Sequence, residues 1–348
     1  MLVYIMGILA TIGIGWIGIH TRSYRRGKKT WTVLFTMLPL FLIAALRYDV
    51  GTDYLYVYVP YFQTLSWGRE LREIEPLFRL LNQMIIWMGG HYQWVFVVCA
   101  GIFTLLVFSQ IFRDSPTPLL SIFLLYGLTY YFISLNATRQ MVACAILLYS
   151  LRYVEDKQWK KFAATVVIAS GFHYSCVLFA VVYVIGKWKI RPRDTVGLSA
   201  LLFLCTEPIT AIALKVIRMT PYRFYIGSQF DTDQSGRIIL AIQVVVLILA
   251  AWQYRDVEKY RIYFNLHMIN TWLASFAGRI VLIERIRWIF GLSSVILIPM
   301  AIRNISNTKM RFLVRVSVIV CFVVYACIVI GIRGNHEVLP YRSILGLF

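Results

Sequence analysis

The chain has 348 residues, 59% of them hydrophobic, a mean hydropathy of +0.70 and a formal net charge of +19. This composition excludes a soluble domain, and long unbroken apolar runs exclude a transmembrane β-barrel, whose strands alternate apolar and polar. The positive charge does not mark a nucleic-acid binder, because the cations are scattered between apolar runs and no basic, aromatic-interleaved domain stands clear of them.

In chain order, the apolar runs predict membrane-spanning helices at about 2–20, 31–46, 92–112, 117–133, 137–154, 160–172, 174–187, 195–217, 237–253, 262–280, 286–302 and 311–331. The first run lacks a basic leading region and an obvious small-residue cleavage site, so it reads as a retained helix. The loop 21–30 carries five cations and no acid, which places it in the cytoplasm and the N-terminus outside. Alternation then sets cytoplasmic loops near 113–116, 154–159, 187–194, 254–261 and 303–311, most of them rich in Lys and Arg, and leaves both termini outside.

Two segments break this rhythm. Residues 75–89 are apolar but only about 22 Å long as a helix, too short to span, and parity requires them to return to the side they left. They read as a re-entrant or interfacial helix, opened by Glu75-Pro76. Residues 160–187 are too few for two full spans and read as a broken hairpin meeting at His173. The expected fold class is therefore an all-α, polytopic membrane protein of about 12 transmembrane helices plus one short re-entrant or interfacial helix. It forms one domain over 1–348, with extracytoplasmic loops at 47–74 and 218–236 and a tail at 332–348.

Lys and Arg are distributed differently. Nearly all Lys falls in the cytoplasmic loops, whereas the outer loops carry Arg almost alone, including Arg47, Arg69, Arg72, Arg79, Arg139, Arg223, Arg237, Arg279, Arg285 and Arg287. That reverses what topology needs, and planar forked cations suit a phosphate or carboxylate site. Arg47-Tyr48-Asp49-Val50-Gly51-Thr52-Asp53-Tyr54 gathers an Arg, two carboxylates and a Gly at a membrane exit, as a binding loop or as a solvated loop with a local ion pair. Glu75 reads as a helix cap or as a cavity carboxylate. Asn136 is placed to cap a helix that leaves Arg139 in its first turn, against the dipole, a conflict that a bound anion would resolve. His173, an ionisable group at a helix break, is a candidate base. Glu284 and Arg287 are one turn apart and are expected to pair, leaving Arg279 and Arg285 for an anion. The His residues show no metal-ligand spacing, no metal or cofactor is expected, and the six Cys read as small buried hydrophobes.

Arg47-x3-Gly51-x-Asp53-Tyr54, Glu75-Pro76, Arg139-Gln140 and Phe172-His173-x-Ser175 resemble, in order and spacing, the EpsG-type members of the Wzy-like polysaccharide polymerases, including O-antigen and exopolysaccharide enzymes. The resemblance is strongest over 40–185 and weaker at Arg285 and Pro340-Tyr341. It implies a GT-C-like, multi-pass glycosyltransferase of the bacterial inner membrane that joins undecaprenyl-diphosphate-linked oligosaccharide repeat units at the extracytoplasmic face. It also implies a flippase and a chain-length regulator as partners in the same pathway. Under that reading Arg47, Arg139, Arg279 and Arg285 bind the diphosphate. His173, with Asp53 second, takes the acceptor's proton, and Glu75 orients acceptor or base. Tyr48, Tyr54 and Gln140 contact substrate, and the absence of a clear carboxylate nucleophile favours inversion. The competing classes are a transporter or flippase of lipid-linked oligosaccharide, a membrane O-acyltransferase and an O-antigen-ligase-like transferase. A transporter would show an internal repeat, which the sequence lacks.

Overall fold

The computed structural model describes residues 1–25, 27, 29–69, 74–219, 223, 226, 236–280 and 282–346. Arg72, Tyr222 and nearly all of the 218–236 loop lie outside the described residues, as does the side chain of Arg237.

Away from water a backbone must satisfy its amides within its own segment, and long apolar stretches do so as helices. Among the described residues the structure is helical throughout and has no strand, and an isolated antiparallel bridge joins Arg47 and Ser343. Helix occupies each of the twelve predicted intervals. By length and composition, Leu2–Ile19, Gln93–Asp114 and Thr308–Ile332 are fit to cross a membrane. Three bent pairs bring the number to six: Pro118–Gly127 with Tyr130–Asn136 (53°), Pro192–Leu204 with Thr206–Arg218 (62°), and Ile283–Gly291 with Ser294–Asn304 (47°). Among the described residues, length and composition alone thus support up to six of the twelve expected crossings.

The reason is visible in Thr138–Glu155. It carries Arg139, Arg152 and Glu155, themselves half-buried, and 13 of its 18 residues are buried. A helix enclosed by other helices need not be apolar all round. Leu2–Ile19, in contrast, leaves Leu2, Met6, Leu9, Trp16 and Ile17 exposed, as a lipid-facing helix does. The bends have local causes as well. Thr129, with φ 65°, adopts the left-handed region at the first break, between Gly127 and Tyr130.

Both unusual segments adopt the expected shapes. Pro76–Trp87 is a single 12-residue helix, about 18 Å long and too short to cross. Trp159–Phe172 ends at His173, which is extended (φ −158°, ψ 113°), and a 3-10 helix follows at Tyr174–Val181. The two segments touch at Gly171, where an added Cβ would lie 2.6 Å from Leu77 Cγ. Only a glycine lets the short helix approach so closely, and that approach brings Glu75 beside His173. One cysteine expectation needs correction. Cys99, Cys144 and Cys176 are buried, but Cys321 and Cys327 are exposed because their helix turns much of its surface outward.

Candidate functional site

The central unit is built from three separate elements. Glu75 precedes the Pro76–Trp87 helix in extended conformation, and its carbonyl closes the first turn by accepting from Arg79 N at 2.9 Å. Its side chain makes no cap bond. Instead the carboxylate, only 4% exposed, bridges two partners: Oε2 accepts from the Arg139 guanidinium, and Oε1 lies 3.0 Å from His173 Nδ1. Burial alone would raise the Glu75 pKa, but the hydrogen bond from His173 and the charge of Arg139 outweigh it and hold the group below the usual carboxylate range. An ionised carboxylate only accepts, so Nδ1 of His173 carries a proton and Nε2 is left as the acceptor of the neutral ring.

Arg139 sits in the first turn of Thr138–Glu155, as the sequence predicts. The anion that relieves its unfavourable place on the dipole is Glu75. Its backbone N–H donates to Tyr58 Oη at 3.3 Å, and its guanidinium lies 5.6 Å from the Tyr61 ring centre. Asn136 does not cap this helix. Ala137 occupies the cap position, and Asn136 Oδ1 accepts from Asp53 N at 2.9 Å while its Nδ2 lies 3.4 Å from His336 Nδ1. Asp53 is thereby fixed at the edge of the cluster, where burial raises its carboxyl pKa against the lowering influence of Arg285 and Arg139. Gly51 makes this possible: its φ is +92°, and an added Cβ would lie 2.6 Å from the Leu135 carbonyl oxygen.

Arg285 lines an adjoining cavity of about 230 Å³ together with Thr129, Tyr130, Trp288, Asn335 and His336. Its carbonyl accepts from Gln140 Nε2 at 2.6 Å, which ties this cavity to the residue next to Arg139. Its side chain makes no hydrogen bond or ion pair among the described residues.

Several expected site residues are placed elsewhere. Arg47 is 1% exposed and donates to the Ala44 carbonyl at 2.6 Å and to Thr138 Oγ1 at 2.9 Å, with its guanidinium 4.6 Å from the Phe96 ring centre. The guanidinium is enclosed by protein and braces the start of the Arg139 helix. Arg279 pairs with Glu207 at 2.5 Å on an exposed surface and does not line the cavity. Tyr54 is fully buried, stacks on Phe96 at 4.2 Å and donates to Gln93 Oε1 at 2.8 Å, and Gln140 is 2% exposed, so both are packed against their neighbours. Tyr48 is exposed, with its ring 6.1 Å from Tyr54. Arg287 pairs with Glu284 at 2.6 Å, as their spacing predicts.

The sequence reading missed His336. It lies on the tail that returns over the 46–52 loop: Tyr48 N donates to the Arg342 carbonyl at 2.9 Å, Gly51 N to the Glu337 carbonyl at 3.1 Å, and Arg342 pairs with Asp49 at 2.6 Å. The His336 ring also meets Trp288 edge-on at 6.1 Å. A lone His in a tail carries no local signal, and only the tail's long-range pairing brings it to the site.

The fold and this cluster define a multi-pass, all-helical membrane protein with an arginine-rich polar site at one end of its helices. The chain belongs to the EpsG family, which it matches over residues 30–343, well beyond the 40–185 stretch that carries the clearest motifs. The family is associated with polysaccharide polymerisation. No match was found among curated proteins or among solved structures.

Proposed function

We propose that this protein is a polysaccharide polymerase of the bacterial inner membrane, a glycosyltransferase that joins undecaprenyl-diphosphate-linked oligosaccharide repeat units at the extracytoplasmic face. In this reading the chain crosses the membrane twelve times, with its broken helices counted as spans and both termini outside. The observation that carries the reading is the Glu75 carboxylate bridging His173 and Arg139, with Arg285 and Asp53 at its edge.

Each part has a role. Glu75 holds Nδ1 of His173 protonated, so that Nε2 takes the proton of the acceptor hydroxyl as that oxygen bonds to the anomeric carbon. The bond from the anomeric carbon to the diphosphate oxygen breaks at the same time, and the leaving diphosphate keeps the electron pair. Arg139 has five N–H donors and turns one of its nitrogens to Glu75, so further donors are left for the leaving group. Arg285 supplies the second guanidinium. Asp53 is the second carboxylate within reach of both Arg residues. One displacement of this kind inverts the anomeric centre.

The test is reconstitution of purified protein with lipid-linked repeat units and no other additions. A ladder of longer products is expected, and it should vanish in His173→Ala and Arg139→Ala. A ladder that persists in both variants sinks the site assignment, and substrate that only crosses the bilayer unchanged identifies a transporter.

A further inference from the structure

A second feature lies at the other end of the helices and takes no part in the site above. Leu2–Ile19, Pro118–Gly127 and Thr308–Ala326 leave between them a cleft of about 510 Å³. Its lining is graded along all three helices. Ile19, Thr117 and Arg315 stand towards the end that carries the 21–30, 113–116 and 303–311 loops. Ile12, Phe123 and Ile319 stand one to two turns further in.

The polar end is incompletely satisfied. Nε of Arg315 and the hydroxyl of Thr117 are both shielded from solvent and make no hydrogen bond. Thr117 occupies the N-cap of Pro118–Gly127, where a hydroxyl ordinarily accepts from the first turn, yet it makes no such bond. Thr117 N is answered by Ser115 Oγ at 3.2 Å, but Nε of Arg315 and the Thr117 hydroxyl, both on the lining of this cleft, have no partner among the described residues. Arg311, one turn before Arg315, also has a shielded Nε without a partner. Beyond this mouth the walls are hydrocarbon, which an aqueous anion would not use, and an uncharged lipid would leave the donors unmet.

We infer that the cleft holds one anionic phospholipid. Its phosphate accepts from Arg315 and from the Thr117 hydroxyl, and an acyl chain lies along Ile12, Leu119, Phe123 and Ile319. The inference is independent of the catalytic reading, since it concerns binding by residues remote from Glu75 and His173.

Full-length protein purified in detergent can be titrated with phosphatidylglycerol and with diacylglycerol of the same chain length, which lacks the phosphate, and the bound species counted by native mass spectrometry. The wild type should retain phosphatidylglycerol about tenfold more tightly, the difference expected of one charge-assisted hydrogen bond. Arg315→Ala with Thr117→Val should remove that preference, while Arg315→Lys, which keeps charge but loses the fork, should lose part of it. Ile319→Trp, which fills the apolar end, should weaken both lipids alike. Melting temperatures in the same detergent report whether each variant is folded, and Arg315→Lys alone carries the test if the double variant is not. Equal retention of the two lipids by the wild type, unchanged phosphatidylglycerol affinity in the Arg315 variants, or equally tight binding of tailless glycerol phosphate overturns the proposal.

Discussion

The Thr138–Glu155 helix has a charged cluster at each end, about 24 Å apart, and the two are wired differently. At the Glu155 end the charges answer one another. Asp114 accepts from Gln110 and from Tyr263, each at 2.7 Å, and lies 2.9 Å from Lys259 Nζ. Glu155 pairs with Arg113 at 3.0 Å and with Lys259 at 3.3 Å. These contacts tie together the ends of Gln93–Asp114, Thr138–Glu155 and Glu258–Ala274. At the Arg139 end, one carboxylate is shared between Arg139 and His173, and Arg285 faces a cavity. A paired network stiffens a fold, whereas a cluster with unspent donors and a free imidazole nitrogen is equipped to meet a ligand.

Mutations at the two ends should separate these roles. The largest effect is expected for His173→Ala: polymer formation in proteoliposomes should fall by about 10³-fold, the scale of a lost general base, with little change in melting temperature. Arg139→Ala should cost about 10²-fold, and Arg139→Lys should not restore the rate, because a point charge cannot both hold Glu75 and present a fork to a diphosphate. At the paired end the outcome should invert. Asp114→Asn should lower stability by about 1–2 kcal/mol, measured by thermal unfolding, because it weakens the charge-assisted bonds from Gln110 and Tyr263 and leaves Lys259 with Glu155, while the rate per folded molecule is kept. If Asp114→Asn abolishes the rate without unfolding the protein, the contrast fails.

A subtler separation lies within the site. Glu75 is held below its ordinary pKa of 4.5, so its contribution to stability is present above that value and is lost as pH falls through the lower folded value. Asp53 is held above its ordinary 3.8, so its contribution is present below that value and is lost as pH rises through the higher folded one. Unfolding midpoints followed across this acid range should show Glu75→Gln removing the acid-side loss and Asp53→Asn removing the opposite one. The smallest effect is expected for Arg279→Ala. Its exposed pair with Glu207 is worth less than about 1 kcal/mol, and the polymerisation rate should stay within about twofold.

The parts of this site legible in the sequence were those with a local physical signature. His173 announced itself as an ionisable group at a break in an apolar run, and Arg139 as a cation at the wrong end of a helix. Arg47 carried the same outward signal as Arg139, an arginine at a membrane exit. Its fate was decided by Thr138 and Phe96, which are 91 and 49 residues away. Tyr54 and Gln140 likewise read as polar groups in a promising motif and proved to be internal supports. Hydropathy predicts more crossings than helix length alone supports among the described residues, because it does not register a left-handed Thr129, and because a helix enclosed by its neighbours, such as Thr138–Glu155, meets a different solvent from one facing lipid.

The strap over the 46–52 loop has a consequence in time. Residues 335–344 emerge from the ribosome after every segment they dock on, yet the Gly51–Glu337, Tyr48–Arg342 and Asp49–Arg342 contacts hold the loop that carries Asp53. Until residues 335–344 are delivered, Asp53 is held through Asn136, but the 48–51 stretch before it has no latch. A nascent chain at that stage already contains Glu75, Arg139 and His173, with the loop that carries Asp53 fastened on one side only.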